Sequence, residues 1–271
     1  MPTSNPILCG SIAGRPGVFG VAMHTAAFRA LGLDFVYVAF GTEDTAGAMI
    51  AMRALGIRGL GITTPHKLRV AGLLDRIDAT ARRIGAVNTV INDDGVLTGH
   101  NVDWIGAQRA IGEVIDPAGR HVVLVGAGGG ARAIAYGLIA AGARVSIYNR
   151  SEERGRSLAA AVGARFAGGL DQLVAAEPFD LFVHATPVGF QEPDATLIPP
   201  SVLPTGAVVF DAVAVPPDTR LLRDAARHGC RTIAGVRMQL HQAACQFELY
   251  TGRKPDLAVM QAALHAAMAT V

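Results

Sequence analysis

The sequence predicts an α/β protein built as two domains, and three observations carry that prediction. Short apolar runs with strand character alternate with helix-like stretches along most of the chain. At 271 residues and 51% hydrophobic content the chain exceeds one typical domain and can bury a sizeable core. The apolar run His121–Val125 passes into Gly126-Ala127-Gly128-Gly129-Gly130-Ala131 and then a helical stretch, so strand, tight turn and helix follow one another. Gly126, Gly128 and Ala131 fit the GxGxxG/A spacing of a Rossmann nucleotide-binding turn, which makes the second domain a doubly wound one.

Residues 6–11 read as a first strand, and residues 10–20, with four glycines and Pro16, as a loop that must approach something closely. A helix is expected from Met23 to Leu31, stopping at Gly32; Phe35–Phe40 is a strand, and Thr42 is positioned to cap a helix that runs to Leu55. The strand at 57–62 leads to Thr63-Thr64-Pro65-His66-Lys67, expected to open a short helix, with a further helix over 75–84. Strands at 87–92 and 96–98 flank Asp94-Gly95, a hairpin signal. A helix from Val102 carries the chain into the second domain, so the boundary falls near residue 103, and Pro117–Arg120 is the turn before the glycine cluster. Strands at 144–148, 179–184 and 207–211 follow. Their carboxyl ends should lie at the ligand edge, because open α/β sheets bind ligands there. Two helices, 236–250 and 255–268, close the chain.

The 24 basic and 22 acidic side chains leave a net charge of +2, too balanced for a nucleic-acid groove or an anionic membrane surface. A small molecule is the expected partner, with the chain acting as a monomer or homodimer. Cys9, Cys230 and Cys245 are odd in number and form no CxxC, which argues against a disulfide frame or a zinc site and for a reducing compartment. His241 and Cys245, one helical turn apart, are too few ligands for a metal. Residues 1–6 have no basic stretch leading into an apolar one, and no apolar run reaches membrane-spanning length, so the expected location is the cytoplasm.

The glycine turn suits a dinucleotide: its first glycine permits the turn, the second lets backbone approach a pyrophosphate, and Ala131 lets helix pack on strand, with Gly129 and Gly130 lying where helix N–H groups would face phosphate. An acid at the end of the next strand would take the ribose 2′-hydroxyl of NAD. The chain instead reads Asn149-Arg150-Ser151-Glu152-Glu153-Arg154. Two guanidinium groups four residues apart, with Ser151 as N-cap, suit a 2′-phosphate, so the expected cofactor is NADP.

Several segments, in order, resemble the shikimate dehydrogenase family over nearly the whole chain. Thr63-Thr64-Pro65-His66-Lys67 resembles its threonine-x-proline-x-lysine segment, Gly85–Val90 its GAVNT strand, and Gly99-His100-Asn101-Val102-Asp103-Trp104-Ile105-Gly106 its G-x-NTD-x-x-G. The glycine turn, Asn149-Arg150-Ser151, His184–Gly189 and Met238–Ala244 follow in family order. The resemblance implies a substrate-binding and catalytic domain over 1–102, a Rossmann NADP-binding domain over 103–236, and C-terminal helices at 237–271 that pack back on the first. It implies Lys67 and Asp103 as the catalytic pair, Thr63, Asn88 and Gln242 as substrate ligands, and Thr186, Gly235 and Met238 completing the cofactor site. The implied reaction is reversible, NADP-dependent reduction of 3-dehydroshikimate to shikimate. A lysine cation to polarise the ketone and a carboxylate to orient it and relay protons are what that chemistry requires.

The pattern breaks where substrate specificity is set. Where the family carries a serine-x-serine-proline segment whose serines hold the substrate carboxylate, this chain has Val18-Phe19-Gly20-Val21, and the loop before it is about two residues longer and contains Arg15. Arg15 or the loop amides are the candidate replacements for those serines. Gly61 stands where the family often has asparagine, and Ala214 where a substrate-contacting tyrosine is usual. These departures resemble the shikimate dehydrogenase-like subgroup. They keep quinate or an amino-substituted relative, and a non-catalytic NADP-binding regulator, as alternatives; a folate-type Rossmann reductase fits the turn but not the Asn88 and Asp103 segments.

Overall fold

The computed structural model describes residues 5–175 and 177–270. Most of the opening stretch on which the leader expectation rests lies outside the described residues. The chain divides into two compact units, one running up to Val102 and resuming at Gln242, the other spanning Asp103–His241.

The first unit holds β1 (Ile7–Ala13), α1 (Phe19–Ala30), β2 (Phe35–Gly41), α2 (Thr45–Ala54), β3 (Gly59–Ile62), β4 (Arg76–Ile77), α3 (Ala79–Ile84), β5 (Thr89–Asp93) and β6 (Val96–His100). Its sheet runs β2-β1-β3-β5-β6-β4. β1 pairs in parallel with β2 and β3, while β5 is antiparallel to both β3 and β6. Asp94 and Gly95 both have positive φ, 52° and 91°, as a two-residue primed hairpin turn demands. Ile12, Leu60, Ile62, Val90 and Leu97 meet Met49 and Met52 of α2 in one core. Gly59 is required by packing: a Cβ there would lie 2.2 Å from the Tyr250 ring.

Several expectations for this unit are corrected. β1 continues through Ala13 and α1 starts at Phe19, so the long loop shrinks to residues 14–18. Parallel pairing of Ser11, Ile12 and Ala13 with Ala39, Phe40 and Gly41 holds that backbone extended. Asp44, rather than Thr42, caps α2, its carboxylate accepting from Gly47 N, while the Thr42 hydroxyl accepts from Asp44 N. The segment after Pro65 makes turns and a short 3-10 stretch at Val70–Leu73 instead of a helix. The helix expected over 75–84 begins only at Ala79, because Asp75 accepts from Leu97 N at 2.7 Å and draws Arg76–Ile77 into the sheet beside β6.

The second unit holds α4 (Asp103–Gly112), β7 (His121–Val125), α5 (Gly129–Ala140), β8 (Arg144–Tyr148), α6 (Glu152–Val162), β9 (Arg165–Gly168), β10 (Leu181–His184), β11 (Val208–Asp211), α7 (Arg220–Arg227) and β12 (Arg231–Ala234). Helix α8 (Gly235–Thr251) begins in this unit and ends in the first, where α9 (Leu257–Met268) packs along α1. All six strands are parallel in the order β12-β11-β10-β7-β8-β9, the doubly wound arrangement, with its switch point between β7 and β10. Val122 and Leu124 face one core and Val123 and Val125 the other, so the strands are covered on both faces and read as continuous apolar runs. β9, α7 and β12 have no counterpart among the elements expected from sequence. The two strands are edge strands that begin with exposed arginines, a polar pattern that hides them.

Candidate functional site: a nucleotide cradle and a lysine turn

β7 ends in the glycine turn, where Gly126 has φ 123° and donates its N–H to Tyr148 O at 3.0 Å. A Cβ at Gly126 would lie 2.6 Å from Ala185 O, so only glycine fits. Gly128 and Gly130 differ: a Cβ there would meet nothing within 4 Å, so these residues face open space. Gly128 caps α5 without a side chain, and the first intrahelical N–H bond is from Arg132 to Gly128 O. The N–H groups of Gly129, Gly130 and Ala131 precede the first intrahelical bond and stand at the positive end of a 12-residue helix, which suits a pyrophosphate. Ala131 is fully buried in the core beneath the turn.

At the end of β8, Asn149 donates its Nδ2 to Ser151 O at 2.8 Å and its backbone N to Gly168 O. Ser151 caps α6, accepting from Arg154 N. Arg150 and Arg154 are both exposed, and neither makes an ion pair with a described residue. Glu152 is taken by Arg156, which also lies over the Phe166 ring at 4.9 Å. Asn149, Arg150, Arg156 and Gly168 line a cavity of about 350 Å³. Thr186, after β10, is half-buried beside the turn, and Gly235 and Met238 are buried in the first turn of α8.

In the first unit Lys67 stands on a pinned turn. His66 before it is fully buried, its Nε2 against Thr42 O at 2.9 Å and its Nδ1 against the Thr45 hydroxyl at 2.7 Å. A carbonyl only accepts, so Nε2 carries the hydrogen. The Lys67 carbonyl accepts from Val87 N at 3.0 Å, fixing the other side. Lys67 is half-buried; Thr63 and Arg15 are exposed. Asn88 is fully buried: its Oδ1 accepts from Val102 N at 2.8 Å and from the Thr89 hydroxyl at 2.9 Å. It thereby anchors the residue immediately before Asp103, itself fully buried at the start of α4. Lys67 belongs to the first unit and Asp103 opens the second.

Gln242 is half-buried, while Gln246, one turn on, is the more deeply placed, donating to the Thr89 hydroxyl at 2.9 Å and Asn88 O at 3.2 Å. One of the chain's departures, Gly61, falls beside it. A Cβ on Gly61 would sit 3.2 Å from Gln246 Nε2 and 3.4 Å from the Tyr37 hydroxyl, so the space of a longer side chain there is already filled. Val18 is 51% exposed and leaves α1 without a side-chain cap, the bond a serine would make. Among the described residues no group of three or more His, Cys, Asp or Glu could hold a metal ion, all three cysteines are buried and outside any disulfide, and no helix is long and apolar enough to cross a membrane.

Family models match three successive stretches: a shikimate dehydrogenase substrate binding domain over residues 18–90, a shikimate / quinate 5-dehydrogenase over 107–189, and a shikimate 5'-dehydrogenase C-terminal domain over 235–265. A shikimate dehydrogenase (NADP(+)) of Moorella thermoacetica is 41% identical, covering 91% of this chain and 88% of its own. The chain belongs to the shikimate dehydrogenase family. Among solved structures, the shikimate 5-dehydrogenase of Thermus thermophilus in complex with NADP(H) and shikimate aligns with TM-score 0.86 and 33% identity over 96% of this chain and 99% of that one. Quinate dehydrogenase from Corynebacterium glutamicum in complex with NAD aligns with TM-score 0.86 and 34% identity over 97% and 100%. Family membership accounts for the order of the motifs along the chain, from the lysine turn through the glycine cradle to α8.

Proposed function

We propose that the protein is an NADP-dependent oxidoreductase that reversibly reduces 3-dehydroshikimate to shikimate or a close ring analogue. The observation that carries the cofactor assignment is the pairing of an open, glycine-lined helix N-terminus with two exposed arginines after β8 that make no ion pair among the described residues. NADPH, when bound, supplies the hydride. The N–H groups of Gly129, Gly130 and Ala131 hold its pyrophosphate, and Arg150 and Arg154, with Asn149 and Ser151, take the 2′-phosphate. Thr186, Gly235 and Met238 complete the same site.

Lys67 donates to the substrate oxygen as negative charge builds on it, and Asp103 orients the reacting hydroxyl and relays its proton. Thr63, Asn88 and Gln242 hold the ring hydroxyls, and Arg15 the carboxylate. In this reading residues 1–102 form the substrate-binding and catalytic part, 103–236 the NADP-binding part, and 237–271 the helices that complete the first. The protein is cytoplasmic, a monomer or homodimer, and acts on small molecules rather than nucleic acid. Val18, Gly20 and Ala214 favour quinate or an amino-substituted ring acid as the second reading, because the contacts to the ring differ there.

The test is shikimate-dependent NADP reduction by the wild type, Lys67→Ala and Asp103→Asn. Turnover that falls by about 10²–10⁴ in each variant is expected. Cofactor binding without turnover on shikimate, quinate or their keto forms would instead make the protein a regulator that kept the fold.

A further inference from the structure

Val125, His184 and Asp211 lie side by side at the carboxyl ends of β7, β10 and β11, at and next to the switch point of the sheet. His184 is 3% and Asp211 1% exposed. The Asp211 carboxylate only accepts: Oδ1 receives His184 Nδ1–H at 2.9 Å and Val213 N–H at 3.0 Å, and Oδ2 receives the Thr219 hydroxyl at 2.6 Å. With the hydrogen on Nδ1, the ring's other nitrogen, Nε2, lies 2.6 Å from the Thr186 hydroxyl, and Thr186 Oγ1 accepts in turn from Val188 N at 3.3 Å. Thr219 also caps α7. One directed chain of hydrogen bonds therefore ties the loop after β10 to the loop after β11 and to the start of α7.

The far end of that chain touches the nucleotide cradle. A Cβ at Gly126 would lie 3.2 Å from the Thr186 methyl carbon and 2.6 Å from Ala185 O. Thr186 is half-buried in the loop that follows the carboxyl end of β10. A threonine after a strand end has rotamers to choose from, and a loop has more. An imidazole is long enough to hold a carboxylate in the sheet at one nitrogen and the hydroxyl at the other.

We infer that His184 is a positioning residue of the nucleotide site, fixing Thr186 against the Gly126 turn through a relay anchored on Asp211. This rests on the reading that NADP lies at this strand edge. His184→Asn separates the two ends of the relay: an asparagine amide nitrogen falls near the place of Nδ1 and keeps the Asp211 bond, but reaches no hydroxyl at Nε2. Thr186→Val removes the same link from the other side with the shape kept, and Thr186→Ser restores a hydroxyl.

The experiment is a fluorescence titration of NADPH into the wild type, H184N, T186V, T186S and the H184N/T186V double variant, with Tm measured for each and KM and kcat where turnover is detected. H184N and T186V are each expected to raise the NADPH Kd roughly three- to tenfold, the effect of one hydrogen bond. The double variant should be no weaker than the weaker single, T186S should stay within about twofold of wild type, and KM for NADPH should move more than kcat. Independent, multiplicative effects in the double variant, or a folded H184N with wild-type Kd, would overturn the relay. Should H184N not fold, a wild-type Kd in T186V overturns it equally. Wild-type protein that binds no NADPH would defeat the cofactor reading and the relay together, whereas tight wild-type binding with unaffected variants defeats the relay alone.

Discussion

Acidification should destabilise the first unit through His24. The imidazole is 1% exposed on α1, stacked on Tyr37 with ring centroids 4.3 Å apart and planes 8° apart, and enclosed by Phe28, Phe247 and Tyr250. Neither ring nitrogen meets hydrogen-bond geometry with a described residue, the Gln246 amide lying near without a formed bond. Burial pushes its pKa down from 6.5 to about 3, against a smaller upward pull from the neighbouring Gln246 amide. A histidine of the unfolded chain takes its proton near pH 6.5, so between there and pH 3 the unfolded state binds more protons than the folded one. Stability is therefore fully present above pH 6.5 and is lost as pH falls through that window. One pH unit corresponds to about 1.36 kcal/mol for a single proton, so the fall from pH 7.5 to 5.0, through the unfolded pKa, removes about 2 kcal/mol. Against a typical total of roughly 5–15 kcal/mol that is a large share. The assay compares urea unfolding of the wild type and His24→Phe at pH 7.5 and 5.0 by circular dichroism. Phenylalanine keeps a stacked ring and removes the titration, so every other titrating group cancels in the comparison. The wild type should lose about 2 kcal/mol more than the variant on acidification. Equal losses would show that His24 is not held neutral by burial.

Two further substitutions probe the nucleotide cradle. Gly126→Ala places a Cβ 2.6 Å from Ala185 O at φ 123°, and should lower stability by roughly 1–3 kcal/mol and abolish NADPH binding measured by fluorescence, whereas Gly128→Ala, with nothing within 4 Å, should leave stability nearly unchanged while weakening NADPH. Arg150→Ala combined with Arg154→Ala should shift the ratio of NADP to NAD turnover toward NAD by at least about tenfold, since each lost charge-assisted bond is worth roughly 1.5–3 kcal/mol in a neutral-to-charged comparison. An unchanged ratio would remove these arginines from the adenosine end.

The parts of this molecule that were legible in the sequence are those whose signal is local. Gly126, Gly128 and Ala131 announce the strand–turn–helix unit because each residue answers a backbone need within a six-residue stretch. Asp94-Gly95 announces its hairpin for the same reason, and Ser151 its helix. The rest depends on partners distant in the chain. Gln246 meets Thr89 157 residues away, and His184 meets Asp211 across a strand pairing that no spacing reveals. Arg76–Ile77 is drawn into the sheet by a carboxylate bonded to Leu97 N, against the helical pattern of the segment that contains it. His66 looks like one more residue of a motif until its two ring nitrogens are seen bracketing the turn that carries Lys67. Only at His184 does the bonded threonine, Thr186, lie two residues away; the threonine that meets His66 is Thr45, 21 residues back.

The most direct measurement follows the hydride itself. NADPH carrying deuterium at both C4 positions of the nicotinamide is incubated with 3-dehydroshikimate and the wild-type protein, and the shikimate formed is examined by mass spectrometry. The account predicts product carrying a single deuterium at the reduced carbon, formed by the wild type and lost in Lys67→Ala. Unlabelled product, or no reduction of 3-dehydroshikimate or the quinate-type ketone under conditions where NADPH is shown to bind, would contradict it.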